Sequence, residues 1–145
     1  MNTINITSAE TISSLQNEFT KVFPYLKLEF FRKRHHAFEG ADKKDILNKD
    51  ILLEQCRKKH VEGAIMLKEN MKVVELENLF RDYFGLSAQV FRKSGRSWIE
   101  TTVTDDWTLK QQNDEGKELS FLSRKEWNNA NPDFRLFAGC FASFN

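Results

Sequence analysis

Two prolines, six glycines and two cysteines are all that this 145-residue chain contains of the residues that break, bend or cross-link a backbone. So little proline and glycine excludes a collagen-like or low-complexity chain. Cys56 and Cys140 stand far apart, with no CxxC and no neighbouring His pair, so neither a disulfide framework nor a zinc site is indicated and both read as reduced thiols. No apolar run approaches the roughly 18 residues of a membrane span. The start, MNTINITSAETI, lacks the basic lead and apolar stretch of a signal peptide, so the chain reads as cytoplasmic, without membrane contact. An excess of charge is missing too: 22 Lys and Arg against 21 Asp and Glu leave a net +1, so no global field favours nucleic acid and any basic site is local. GxSxG, GxxxxGK and HExxH signatures are absent, and no cofactor or metal is implied.

What the chain does contain is a repeat. INITSAETISSLQNEFTKVFP from Ile4 aligns with IMLKENMKVVELENLFRDYFG from Ile65 at an offset of 61 residues. Ile4 matches Ile65, Ile6 Leu67, Ile12 Val73, Leu15 Leu76, Asn17 Asn78, Phe19 Phe80 and Phe23 Phe84. The turn residues Pro24 and Gly85 coincide as well. Dropping one residue brings Phe31, Arg32 and Lys33 onto Phe91, Arg92 and Lys93. Each copy opens with the alternation of a half-buried strand. An amphipathic helix follows, its stripe formed by Ile12, Leu15, Phe19, Val22 and Phe23 in one copy and Val73, Leu76, Phe80, Tyr83 and Phe84 in the other. Thr7 or Ser8 is the expected cap of the first helix, and Pro24 and Gly85 mark the helix ends. Returning strands are expected over Tyr25 to Arg34 and Leu86 to Lys93.

Two such strand, helix, strand units resemble the ferredoxin-like βαββαβ plait, an α+β fold that is itself a pseudo-duplication. The resemblance covers residues 2 to 93 and is one of architecture, so it implies no functional residues. In the plait the second and fourth strands lie on opposite edges of one sheet. The chain is expected to be a single domain over residues 1–145: a first unit at 2–34, an insertion at 35–62, a second unit at 63–93 and an extension at 94–145. The insertion is read as an exposed loop followed by a helix from about Asn48 to Lys59, with Leu47, Ile51, Leu52 and Cys56 inward.

The extension begins RKSGRSWIETTVTDDWTLKQQN. KSGR reads as a hairpin turn with Gly95 at positive φ, and Trp98 to Val103 as a fifth strand. Thr104, Asp105 or Asp106 is the expected cap of a helix that Gly116 stops. Beyond it, Phe134, Phe137, Phe141 and Phe144 form a Phe-rich tail that needs burial, packed in cis or at a homodimer contact that the open sheet face also offers.

Three function classes compete on these residues. Glu100, Asp105 and Asp106 are the catalytic candidates, as a general acid and base desolvated against Trp98 or Trp107. Arg32, Lys33, Arg92, Lys93 and Arg96, interleaved with aromatics such as Trp98 and Trp107, are the binding candidates for an anion, a single-stranded nucleic acid or an acidic partner. Nucleic acid is disfavoured, because the basic strand ends sit on opposite edges of a plait and the RNA-recognition aromatic motif is missing. His35, His36 and His60 read as solvated loop residues. A hairpin and a capped helix explain the composition of the extension without chemistry. The preferred reading is a non-catalytic module that binds a protein partner or a small ligand.

Overall fold

Ile4 and Ile6 alternate with Thr3, Asn5 and Thr7, and in the second segment Ile65 and Leu67 are the buried residues while Ala64 and Met66 between and beside them are exposed, so each segment has one face that leaves water. In the computed structural model these segments are β1 (Thr3–Ile6) and β3 (Gly63–Met66), paired antiparallel as a two-stranded ribbon. The model describes residues 2–32, 45–57 and 60–130, with 123–130 as backbone. Among these residues the protein is α+β, with two antiparallel sheets and four helices. The second sheet joins β2 (Leu26–Phe31), β4 (Ser87–Ser94) and β5 (Ser97–Glu100) in the order β2-β4-β5. Helices α1 (Ile12–Val22) and α3 (Val73–Phe84) follow β1 and β3, α2 (Leu53–Cys56) is a single turn, and α4 (Leu109–Ala130) ends the described chain. None of the described helices is long and apolar enough to cross a membrane.

One apolar core joins β1, β2, β3 and β4 to all four helices. Phe19 of α1 and Phe80 of α3 are fully enclosed, and the Phe80 ring meets Phe30 edge-on at 5.3 Å. Leu26, Leu28 and Phe30 point into this core from β2, and Ala88 and Val90 from β4.

The strand registers carry information of their own. In the ribbon Ile4 stands opposite Ile65, the residue matched to it in the sequence. In the larger sheet Glu29 stands opposite Gln89, again its match once the dropped residue is counted. Each pairing is therefore centred on two matched residues, as a two-fold axis between the halves requires.

The same relation runs through the hydrogen bonds that hold the helix starts. Ile12 N–H donates to Ile51 O (3.1 Å) and Val73 N–H to Trp107 O (3.0 Å). Ser13 N–H donates to Lys49 O (3.0 Å) and Val74 N–H to Asp105 O (2.9 Å). Leu53 N–H reaches Glu10 O (2.9 Å), and Leu109 N–H reaches Met71 O (2.8 Å). Even the capping side chains repeat: Leu52 N–H donates to Gln55 Oε1 (3.2 Å) and Thr108 N–H to Gln111 Oε1 (2.9 Å). On the α1 and α3 side these partners differ by 61 positions, as in 12/73, and on the other side by 56, as in 51/107. Backbone donors left over at the first turns of α1 and α3 are thus satisfied by equivalent straps, residues 49–51 and 105–107. Residues 45–47 also run beside β2, where Leu47 N–H donates to Phe30 O (2.7 Å), as Thr101 N–H donates to Val90 O (3.3 Å) after β5.

Several details differ from the sequence expectation. β2 and β4 are direct neighbours rather than opposite edges, because their outer partners are the 45–47 segment and β5 instead of the ribbon. Thr11, not Thr7 or Ser8, caps α1 by accepting Ser14 N–H (3.2 Å). The fifth strand stops at Glu100, and residues Thr102–Thr104 form a 3₁₀ turn. Thr108 caps α4, where its Oγ1 accepts Gln111 N–H (3.1 Å). Gly116 does not end that helix: it lies buried inside it, where α4 crosses Tyr25 and Arg92. The inserted helix is shorter than Asn48 to Lys59, and Leu53 rather than Leu52 is its buried residue. Tyr83 is exposed, so it does not belong to the inward stripe of α3. Gly85 at φ 64° ends α3 and Gly95 at φ 62° turns the β4–β5 hairpin, the two positions where a left-handed backbone calls for glycine. Lys33, His35, His36, Cys140 and the Phe-rich tail lie outside the described residues.

Candidate functional site

The extension does gather most of its reactive groups, together with one acid that its pattern did not single out. Glu77 projects from α3 with only 7% of its surface exposed and accepts Val90 N–H through Oε2 (3.0 Å). β5 has ended at this level, so the carboxyl takes the place of the missing strand partner. Burial, then repulsion from Asp105 and from Glu100, pushes the Glu77 carboxyl up to about 8, against the bond from Val90. Asp105 is fully enclosed, whereas Asp106 is exposed, so of the adjacent pair only Asp105 joins the cluster.

Beside these acids Gln112 binds in both directions. Its Nε2 donates to Thr104 O (2.9 Å) and Oγ1 (2.7 Å), and its Oε1 accepts from Arg92 Nη1 (2.8 Å). The Arg92 guanidinium lies 5.7 Å from the Trp107 ring centre. Thr101 is buried and donates through Oγ1 to Val90 O (2.9 Å). Glu100, Asp105, Arg92 and Trp107 are therefore brought to one end of α4. What the arrangement does is join the loop before α4 to β4. A neutral carboxyl at Glu77 also relieves the repulsion among three acids. Among the described residues no group of three or more His, Cys, Asp or Glu is placed to hold a metal ion.

The basic candidates separate. Arg92 is opposite Leu26 at one end of the β2–β4 pair, whereas Arg32 follows Phe31 at the other, which at about 3.3 Å per residue puts the two backbones roughly 20 Å apart. Lys93 faces Trp98 across the hairpin, with its Nζ 5.8 Å from the ring centre. Lys27 lies between Phe91 (5.3 Å) and Trp98 (5.1 Å) and contacts Glu29 Oε1 (3.4 Å). Arg96 is exposed at the turn. No single basic groove follows from these positions.

Elsewhere among the described residues lie two hollows that are not lined by Glu100, Asp105 or Asp106. One, of about 380 Å³, is walled by Phe31, Arg32, Leu47, Cys56, Arg81 and Leu86 among others. Burial pushes the Cys56 thiol up and outweighs the nearby Arg57 charge, so the sulfur on this wall is a thiol rather than a nucleophilic thiolate. The other, of about 250 Å³, runs beside β3 and is lined by Ala64, Ile65, Met66, Leu79, Tyr83 and Phe84. Met66 and Tyr83 are 56% and 61% exposed there, a high value for two large side chains side by side.

No protein-family model, curated protein or solved structure matches this chain. The two outer edges of the ribbon differ in what covers them. Leu67 N–H donates to Asn2 O, so antiparallel alternation makes 4/65 and 6/63 the bonded pairs and turns the backbone groups of Asn5, Ala64 and Met66 outward. On β1 the outward Asn5 N–H is taken by Glu18 Oε2 (3.0 Å). The residues matched to Asn5 and Glu18 are Met66 and Leu79. Where β1 has a carboxylate over its edge, β3 has an apolar side chain.

Sequence reasoning missed Glu77 and Leu79. Both had a signal in the repeat, since their matches are Gln16 and Glu18, changes of charge at otherwise corresponding helix positions.

Proposed function

We propose that the protein is a non-catalytic interaction module built from a duplicated unit, which takes up an extended segment of a partner protein along the outer edge of β3. The duplication is supported by the matched registers and by the hydrogen bonds that recur at both helix starts. On this reading the unit is longer than strand, helix, strand: residues 49–57 correspond to 105–113 and complete the first copy rather than interrupting the chain. NKDILLEQ and TDDWTLKQ then align, with Asp50 on Asp106, Leu53 on Leu109 and Gln55 on Gln111. The antiparallel β1–β3 contact supports reading the fold as a relative of the ferredoxin-like plait, from whose single sheet it departs by pairing β2 with β4 in a second sheet.

One observation carries the binding reading: Leu79 stands where the other half has Glu18. An acid over a strand edge blocks addition of another strand, because it occupies an outward donor and presents a charge. Replacing it by leucine leaves Met66 N–H facing outward beside the hollow of Leu79, Tyr83 and Phe84. Strand addition needs both features: backbone groups for affinity and a side pocket for alternate apolar residues. The acid cluster favours a structural role: Glu77 ties α3 to β4 by accepting Val90 N–H, Asp105 O ties the loop to α3 by accepting Val74 N–H, and neither residue lines the two hollows described above.

Selection of displayed peptides against the full chain tests this. Enriched sequences should alternate apolar and polar residues, and binding should be lost in Met66→Pro, which removes the outward N–H at an edge position where proline fits. Peptides without alternation, or binding that is indifferent to Met66→Pro, would refute the assignment.

A further inference from the structure

The 380 Å³ hollow has a filled counterpart in the other half of the molecule. Through the matched positions, Arg32 corresponds to Arg92, Leu86 to Tyr25 and Cys56 to Gln112. Around Tyr25 and Arg92 the space is taken by α4. Gly116 approaches so closely that a Cβ there would stand 3.0 Å from Tyr25 Cβ, 3.1 Å from Tyr25 O and 3.2 Å from Arg92 Cγ. Asn113 Oδ1 accepts Tyr25 N–H (2.9 Å), and Gln112 Oε1 accepts from Arg92 (2.8 Å). In the first half the corresponding helix is α2, which ends after one turn at Cys56. The later turns that α4 lays over Tyr25 have no counterpart over Leu86 among the described residues, and the hollow is what remains.

We propose that this hollow seats a helix from a partner protein, laid on the first half as α4 lies on the second, with a small residue against Leu86 and an acidic residue at Arg32. The floor supplies the apolar contact through Phe31, Leu47 and Leu86. The charge follows from what the described residues leave unmatched. Arg92 has the Gln112 amide, but at the matched position Cys56 donates its thiol to Leu53 O (3.6 Å) and offers Arg32 no carbonyl. Arg32 is exposed and its guanidinium has no acceptor among the described residues, while Arg81 is bonded to Asp82 (3.0 Å). Two guanidinium groups against one carboxylate leave the rim positive, the complement of an acidic helix. In α4 the acceptor and the small residue are Gln112 and Gly116, four apart and so on one face. The pattern sought in the partner is therefore acid, three residues, then Gly or Ala.

This surface is apart from the β3 edge, and its test separates the two. The probe is a stapled, fluorescent helix with the sequence of residues 107–122 and glutamate at the position of Gln112, titrated into the full chain; stapling is needed because so short a helix is marginal alone. Saturable binding at about 1 to 100 μM is expected. Arg32→Glu in the protein should weaken it at least about tenfold while leaving binding of β3-edge peptides unchanged. Leucine at the Gly116 position of the probe should abolish it, for want of room. No saturation up to about 1 mM would overturn the proposal, as would binding that ignores both changes. Binding of succinate with the same dependence on Arg32, without binding of the helix, would make the hollow a small-molecule site and overturn it equally.

Discussion

Replacing Glu77 by glutamine should remove a pH dependence that the wild-type protein carries. In the folded chain the Glu77 carboxyl loses its proton only near pH 8, against an ordinary value of 4.5, chiefly because burial penalises the charge. The folded state thus binds a proton that the unfolded chain has released, and by linkage stability falls as pH rises between those values. Below about pH 4.5 the contribution is intact; above about pH 8 it is gone and the slope ends. At up to about 1.4 kcal/mol per pH unit, the window removes about 3 to 5 kcal/mol, a large part of a small domain's stability. The amide of the Glu77→Gln variant would still accept Val90 N–H through its Oε1, and the matched Gln16 already occupies the equivalent place in α1, with Nε2 bonded to Leu28 O (2.8 Å). Urea melts of both proteins at several pH values between about 4.5 and 8.5 measure the effect, and subtracting the two curves cancels the other carboxylates. The stability of Glu77→Gln relative to wild type should climb by a few kcal/mol across the window. Parallel curves would refute a buried Glu77 that holds its proton.

Phe19→Ala and Phe80→Ala should each cost about 3 to 5 kcal/mol, because both rings are fully enclosed at matched positions; a urea melt showing less than about 1 kcal/mol for either would place that ring elsewhere. Gly116→Ala should destabilise despite the better helix propensity of alanine, by about 1 to 3 kcal/mol, since the new Cβ would press on Tyr25 O and Arg92; a gain in thermal midpoint would contradict the close crossing of α4. Single-stranded DNA followed by fluorescence anisotropy should show no micromolar binding at about physiological salt, because Arg32 and Arg92 sit at opposite ends of the β2–β4 pair; binding lost on changing both to alanine would contradict this.

Much of the fold was legible because the segments from Ile4 and from Ile65 carry the same spacing of apolar positions. Ile4 and Ile65, matched in the sequence, turn out to face each other across the ribbon, and Gly85 and Gly95 turn where their sequence context says. Gly116 misled for a physical reason: a glycine that stops a helix and one that lets a helix pass close to another backbone look alike in a sequence. The correspondence of 49–57 with 105–113 escaped because the connecting loops differ in length, so the offset slips from 61 to 60 to 56 and the identities at Asp50, Leu53 and Gln55 fall out of step. The β2–β4 pairing was hidden for another reason, since βαββαβ order alone does not say which strand edges meet. Of the site, the approach of Asp105 and Arg92 to one end of α4 depends on tertiary packing that no local pattern encodes. The contrast of Glu18 with Leu79 was visible, but it acquires meaning only once both residues are seen over strand edges.

The most direct test of the open-edge account is to give β3 the protection that β1 already has. Leu79→Glu places a carboxylate over Met66 as Glu18 lies over Asn5, and the affinity of a selected strand-forming peptide for this variant and for wild type is then measured by calorimetry. The account predicts a loss of at least about tenfold, from a blocked donor and a charge in an apolar groove. An unchanged affinity would contradict it.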